Sequence, residues 1–571
     1  MNMESHRYFR SYAAWVKAHD TLADEDRQAI RECVRRLTSL PLFSIMLLPR
    51  PDGAISVAHA SIDSVRRQLY PHWELWQPQQ RQPTYTDTDA RFRIIPQSTG
   101  PVTDYASLFN SALSVARGEF VLPLPPDAML AEQALYELAV AIGDDPEAEL
   151  LYTDEDRLDS GGTRCMPHFK TGWDPDLMLG RDAAGLLVAY RKRLLEGLGG
   201  MRLPSALAPY ELSLRAGSAA PPVHIRHVPA VLCHRRGSSE ASQAWDAEGA
   251  REIVRQHLAE AGVVARVVAA PLKPAWNRIV RELPDPLPLV SVIVPTRDRA
   301  DLLGQCAEGV LSRTDYPAVE FLIVDNGSTE PATFELFQRL SKDPRVRVLS
   351  SPGPFNYSAL NNKAAREARG EILLLLNNDT DVIGPDWLCE MVSHAVRADV
   401  GAVGAKLLYP DGRVQHGGMV LGPGLWPAHQ LRLADRLDAG PGGELALVRS
   451  VSAVTGACLA LRRSVFFEVD GFNEELKIAF GDVDLCLRLG DHGYRIVWTP
   501  FAELFHLESA SRGQDSESPD TLTLAEEEAR YFGYYWKSLV EADPFHNANL
   551  VYGWNSLELA EPPRRERRWA A

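Results

Sequence analysis

Between Leu373 and Asp381 the chain reads Leu-Leu-Leu-Leu-Asn-Asn-Asp-Thr-Asp, an apolar run that leads straight into two carboxylates. Four successive leucines fit a strand covered on both faces, the situation of a parallel strand in an α/β sheet. Ligands of such sheets bind just beyond the C-terminal strand ends, so Asp379 and Asp381 are expected at the sheet's working edge. Two hard oxygen donors at that spacing suit Mn2+ or Mg2+, which takes one or two carboxylates plus substrate phosphates. Taken alone, the triplet reads more readily as a solvated acidic turn.

The 571 residues exceed one ordinary core and imply two or three domains. Amphipathic positions such as Ile30, Val34 and Leu37 predict helices over 1–40. Short apolar strands then alternate with helical stretches from Phe43 onward, the pattern of a mostly parallel sheet with covering helices. The segment 41–270 is read as one such domain. Prolines cluster over 271–288, a stiff connector composition, and a second α/β domain is expected over 289–545, with a tail at 546–571. Val290-Ser291-Val292-Ile293-Val294 parallels the strand at Phe43. The stretch leading to Gly118-Glu119 likewise parallels the one leading to Gly370-Glu371, so the chain reads as a tandem duplication.

The formal net charge of −16 argues against nucleic acid as a partner. Seven scattered cysteines without a C-x-x-C pair read as free thiols in a reducing compartment. The N-terminal residues lack the apolar core of a secretory signal, and no apolar run is long enough to span a bilayer. A cytoplasmic location is therefore expected, with peripheral contact at the cytosolic face of the inner membrane or with other polysaccharide-assembly enzymes left open. The basic tail Arg564–Trp569 has two readings, a contact with an anionic membrane and a frayed, solvated terminus; the second is preferred.

In the second half, one β-branched strand ends in Pro295-Thr296-Arg297-Asp298 and another in Asp325-Asn326-Gly327-Ser328. Carboxylates at neighbouring strand ends suit a base and ribose hydroxyls, with the D-x-D edge supplying a metal for a diphosphate. These segments, together with Asn356–Asn362, Asn377–Asp381, Gly456–Arg463, Asp470–Glu474, Gly481–Arg488 and His506–Ser509, resemble the family 2 inverting glycosyltransferases of GT-A fold. The similarity is greatest to bacterial rhamnosyltransferase-like enzymes that build O-antigen.

That resemblance implies two tandem GT-A domains, a nucleotide-diphospho-sugar donor such as dTDP-rhamnose, and a glycan or lipid-linked oligosaccharide acceptor. It implies that Pro295, Thr296, Asp298, Asp325, Asn326 and Asp379 face the donor nucleotide. Asp381 and His506 would hold the metal, and Asp482 would be the base that deprotonates the acceptor hydroxyl. Gly456, Ala457 and Asp484 would lie on the acceptor side, although Asp484 also reads as a residue orienting its own helix. Trp387 has two readings, a sugar-ring contact and a helix-packing aromatic; the second is preferred. Many relatives carry an acid just before the base, where this chain has Gly481.

The first half departs from the family pattern. Gln77-Pro78 follows its second strand, only Asp127 remains of the fourth-strand acidic cluster, and Pro209 stands where the base is expected. This half is read as a non-catalytic copy, and Asp154-Glu155-Asp156 as a structural acidic loop. The rival to an enzyme is a glycan-binding or assembly scaffold built from retired transferase domains. A nucleotidyltransferase is disfavoured, because its phosphate loop would need glycine where Pro295–Asp298 has none.

Overall fold

The computed structural model describes residues 9, 11–47, 58–78, 89–96, 105–236, 246–422, 426–507, 519–553 and 557–570. Two large sheets carry the chain. The first runs from edge to edge through Phe92–Ile94, Trp73–Gln77, Phe43–Leu47, Phe120–Leu124, Val188–Arg191, Leu150–Leu158, Ile225–Arg236 and Ala128–Leu130. The second runs through Val346–Ser350, Val319–Asp325, Val290–Thr296, Ile372–Leu376, Cys458–Arg462, Val400–Leu408, Arg495–His506 and Thr380–Val382. In each, the first four strands are parallel, the fifth is antiparallel to its neighbours, the sixth and seventh pair parallel, and the eighth is antiparallel. The expected α/β class with mostly parallel sheets is therefore observed, and both sheets share one strand order.

The likeness extends to buried polar atoms. Ser291 Oγ donates to Glu320 at 2.5 Å, Glu320 accepts the N–H of Arg369 at 2.6 Å, and Gly370 N donates to Ser291 Oγ at 2.8 Å. In the first sheet Ser44, Glu74, Arg117 and Gly118 repeat this circuit at 2.7, 2.8 and 2.8 Å. A Cβ on Gly370 would lie 2.6 Å from Leu289 O, and one on Gly118 would lie 2.5 Å from Ser44 N, so only glycine lets the chain pass.

Leu373–Leu376 are wholly buried, as a doubly covered strand requires. All seven cysteines are free. The 271–288 segment is not all connector, because Asn277–Arg281 pairs antiparallel with Ala265–Ala269. The two halves are tied by ion pairs: Asp176 receives Arg397 and Arg495, each at 2.8 Å, and Asp174 accepts the N–H of Ser450 at 2.6 Å.

The preferred reading of the C-terminal tail is corrected. Trp569 is only 4% exposed, packed among the strands and helices of the first sheet, and its indole N–H donates to Asp26 at 2.8 Å. Arg565 pairs with Asp20 at 2.8 Å. The tail docks because its cations meet acids more than 400 positions earlier in the chain. Among the described residues no helix is long and apolar enough to cross a membrane.

Candidate active site

Three parallel strands of the second sheet deliver the expected nucleotide-side residues to one edge. Thr296 and Asp325 are register partners on adjacent strands. Asn378 Nδ2 donates to Thr296 Oγ1 at 2.9 Å, which joins the third strand end to the first. Asp325 accepts the N–H of Ser328 at 2.9 Å. Asn326 donates to the carbonyls of Ser351 and Gly353, a loop-bracing role. Pro295 lies in the first of these strands, one residue before Thr296. Asp298 and Arg299 take the left-handed conformation, with φ of 56° and 55°. The Asp298 carboxylate accepts the N–H groups of Thr329 and Glu330, both at 2.8 Å. Those amides, Glu330's first, hold it below the ordinary Asp range.

The D-x-D carboxylates separate. Asp379 is buried at the strand end, its carbonyl accepting Leu507 N at 3.0 Å. Among the described residues its Oδ1 has no hydrogen-bond partner, and it lies 3.2 Å from Nε2 of His506. His506 Nδ1 donates to Gln415 Oε1 at 2.6 Å, and Gln415 Nε2 returns a bond to the His506 carbonyl at 3.3 Å. With its proton on Nδ1, a neutral His506 ring presents its lone pair at Nε2. Asn377 Nδ2 approaches the same nitrogen at 3.3 Å. In that neutral form the imidazole nitrogen and the carboxylate oxygen are a donor pair that fits a divalent cation completed by water and other oxygen ligands. Glu508 and Ser509, quoted with His506 in the motif, lie outside the described residues.

Asp381, expected as the metal carboxylate, faces elsewhere. It sits two residues further along the edge strand, where it accepts from Arg313 and, at 2.8 Å, from Gln305 of the helix Ala300–Ser312.

Asp482 occupies the first turn of the helix Gly481–Asp491. Its Oδ2 accepts the N–H of Gly456 at 2.7 Å, and its Oδ1 accepts that of Val483 at 2.9 Å. Burial raises its carboxyl above the ordinary Asp range, and these amide donors oppose the shift. Ala457 O accepts Asn377 N at 3.0 Å, so the segment holding Asp482 is bonded to the D-x-D strand end. A Cβ on Gly456 would lie 2.9 Å from Tyr357 Oη, which leaves the Gly456 backbone free to meet Asp482.

Asp484 holds Arg488 at 2.8 Å and Trp536 at 3.1 Å, the helix-orienting role rather than an acceptor contact. Trp387 takes the packing reading and not the acceptor contact. It is 1% exposed and donates its indole N–H to Thr314 at 2.9 Å, so no sugar reaches it. Two residues near the base carried no sequence signal of their own. Glu528 accepts the N–H groups of Lys477 and Ala479 at 2.8 and 2.7 Å, clamping the approach to Asp482. Trp426 stands half-exposed beside Phe480.

The matching positions of the first sheet differ in chemistry. Thr380 pairs with His506 in the second sheet and Ala128 pairs with Arg235 in the first. Asp127 and Arg235 thus stand where Asp379 and His506 stand, with Nε 3.8 Å from Oδ2. Arg488 bonds Asp484 and the carbonyls of Val469 and Gly471; Arg215 bonds Glu211 and the carbonyls of Leu198 and Gly200 in the same way. Two residues before Glu211 is Pro209, the match of Asp482. Asp154, Glu155 and Asp156 are spent on His227, Lys170 and His234.

Residues 291–468 match the family model described as glycosyl transferase family 2. Over 97% of its length the chain is 39% identical to the "uncharacterized protein y4gI" of Sinorhizobium fredii, of which it covers 62%. Over 97% it is also 37% identical to the O-antigen biosynthesis protein RfbC of Myxococcus xanthus, of which it covers 43%. It therefore spans less than two thirds of either of these two relatives. Over 41% of its length it is 33% identical to the N-acetylglucosaminyl-diphospho-decaprenol L-rhamnosyltransferase of Mycobacterium tuberculosis, of which it covers 80%.

Proposed function

Since the chain belongs to glycosyl transferase family 2, we propose that its second half is an inverting, metal-dependent glycosyltransferase acting in bacterial surface polysaccharide synthesis. The observation that carries this reading is the line of contacts from Asp379 through His506, Asn377, Ala457 and Gly456 to Asp482, which connects a buried carboxylate to the Asp–His pair at the strand end. The names of two relatives, an O-antigen biosynthesis protein and a rhamnosyltransferase, favour a deoxysugar donor such as dTDP-rhamnose and a lipid-linked or oligosaccharide acceptor.

In this reading Thr296 and Asp325 bind the nucleoside, and Asp298 shapes its loop. Asp379 and His506 would hold Mn2+ or Mg2+, which when bound neutralises charge on the leaving diphosphate. Asp381 is reassigned to bracing the helix Ala300–Ser312. Asp482 removes the acceptor hydroxyl proton while that oxygen attacks the anomeric carbon from the face opposite the diphosphate, giving inversion without a covalent intermediate. Burial of Asp482 raises its basicity for that step.

The first half is a duplicate that has lost the chemistry. Pro209 cannot take a proton, and the guanidinium of Arg235 stands where a metal would bind. Its place is structural, packed on the second half through Asp174 and Asp176.

The test is release of nucleotide diphosphate from dTDP-, UDP- and GDP-sugars with Mn2+, together with the melting-temperature shift each nucleotide produces. One class that gives both, with the release lost in Asp482→Asn and the shift lost in Asp379→Asn, supports the enzyme. No shift with any nucleotide supports a retired scaffold instead.

A further inference from the structure

The short strands Met419–Val420 and Ala428–His429 pair antiparallel in a hairpin, and Trp426 lies two residues before the second strand. The hairpin is anchored at both ends. Leu421 N donates to Asp543 at 2.7 Å, and His429 Nδ1 meets His416 Nδ1 at 2.8 Å. His416 Nε2 in turn receives the N–H of Thr455 at 3.5 Å, one residue before the glycine that holds Asp482.

The Trp426 ring lies 4.9 Å from that of Phe480, and Phe480 stacks on Phe532 at 5.1 Å with 21° between planes. Phe532 and Phe480 are buried, whereas Trp426 is 49% exposed. The three rings make a ladder from core to solvent. Its middle rung has φ of 59°, a conformation that a bulky residue keeps only where its surroundings enforce it. Glu528 supplies part of that constraint by bonding the two N–H groups on Lys477 and Ala479.

We propose that the exposed face of Trp426 is the platform on which a pyranose ring of the acceptor glycan stacks, so that its hydroxyl meets Asp482. The inference rests on the transferase reading above. Phe480 precedes Asp482 by two residues, so the ladder and the base share one turn of chain. The nucleotide-side residues Thr296 and Asp325 come from other strands. A molecule beside the base is therefore the one that gives up a proton, which is the acceptor. One face of a pyranose is a sheet of C–H groups, and the electron-rich face of an indole is its natural counterpart.

The test is saturation-transfer NMR with methyl α-L-rhamnoside and methyl N-acetyl-β-D-glucosaminide, in the presence of Mn2+ and whichever of dTDP, UDP and GDP raises the melting temperature. The wild type is expected to transfer saturation to ring C–H protons of at least one glycoside. Trp426→Ala should reduce that signal by about 3- to 10-fold, the factor of one aromatic contact, and Trp426→Phe should retain most of it. All three proteins should show the same nucleotide-induced melting shift. An undiminished signal in Trp426→Ala, no glycoside signal in a wild type that binds nucleotide, or loss of the nucleotide shift in Trp426→Ala would each overturn the platform. A wild type that binds no nucleotide overturns the transferase reading and the platform with it.

Discussion

Arg235 and Asp127 face each other at 3.8 Å in the strand positions that His506 and Asp379 hold in the other sheet. A guanidinium cannot lose its proton to become a ligand, so it serves as a fixed counter-charge where the second sheet pairs a carboxylate with an imidazole. Manganese titrated in the presence of nucleotide should therefore fill one site per chain. Asp127→Ala should leave that stoichiometry intact and Asp379→Ala should abolish it, with Mn2+ electron paramagnetic resonance as the readout. Two sites in the wild type would refute the distinction.

The two carboxylates of the D-x-D triplet should respond differently to substitution. Asp379→Asn removes a ligand facing His506 and should lower transfer by about 100-fold or more, in line with loss of one electrostatic contact to a leaving group. Among the described residues no cluster of three or more His, Cys, Asp or Glu converges on one point. Metal affinity without nucleotide should accordingly be weak. Asp381→Asn breaks a partly exposed pair with Arg313, worth about 0–1 kcal/mol of stability, and should leave most activity. Equal losses in the two variants, measured as kcat/KM, would return the metal to Asp381.

Asp482 links pH, rate and stability. Because folding raises its carboxyl above the unfolded value, the folded state favours the protonated form. That contribution is present below the unfolded pKa and is lost as pH rises through the folded one. Transfer should rise with pH across the same window, as the base becomes available. Asp482→Asn should lower kcat by about 100- to 10,000-fold; its amide can satisfy only one of the Gly456 and Val483 N–H groups, so it should be less stable than wild type in acid, by a margin that narrows as pH rises to 7. A stability difference between variant and wild type that does not change with pH would contradict the buried-base reading.

The second sheet was legible because its strands are short apolar runs ending in polar loops: Ser291–Val294, Phe321–Val324 and Leu373–Leu376 announce themselves. Within the site, spacing could not tell Asp379 from Asp381. The difference depends on Leu507 bonding Asp379 and on a helix that offers Arg313 to Asp381, and neither contact is local. Trp387 stands in a motif-like segment but packs inside, whereas Trp426 lies in a stretch without any motif and faces solvent. Pro209 was readable by pattern, and the shared Arg215 and Arg488 bonds supply its structural register. The role of Arg235 was hidden, because Asp127 precedes it by more than 100 residues and only strand pairing brings them together.

The C-terminal tail offers the clearest separation between a charge pattern and its use. Arg565 and Arg567 pair with Asp20 and Asp26, Arg568 pairs with Asp144, and the Arg564 guanidinium stacks on Tyr552 at 3.3 Å. Cations so committed have little left for a lipid surface, and Trp569 is already buried against Tyr136 at 6.3 Å between rings. Trp569→Ala should then cost about 3–5 kcal/mol, the usual loss on emptying a large core site. The loss should concentrate in the first sheet and appear as faster hydrogen exchange in the helix Asp24–Arg36, which donates the Asp26 acceptor. Vesicles rich in anionic lipid should not sediment the wild-type protein through this segment. Exchange in that helix unchanged by Trp569→Ala, or vesicle binding lost on reversing the four arginine charges, would show that the tail is free after all.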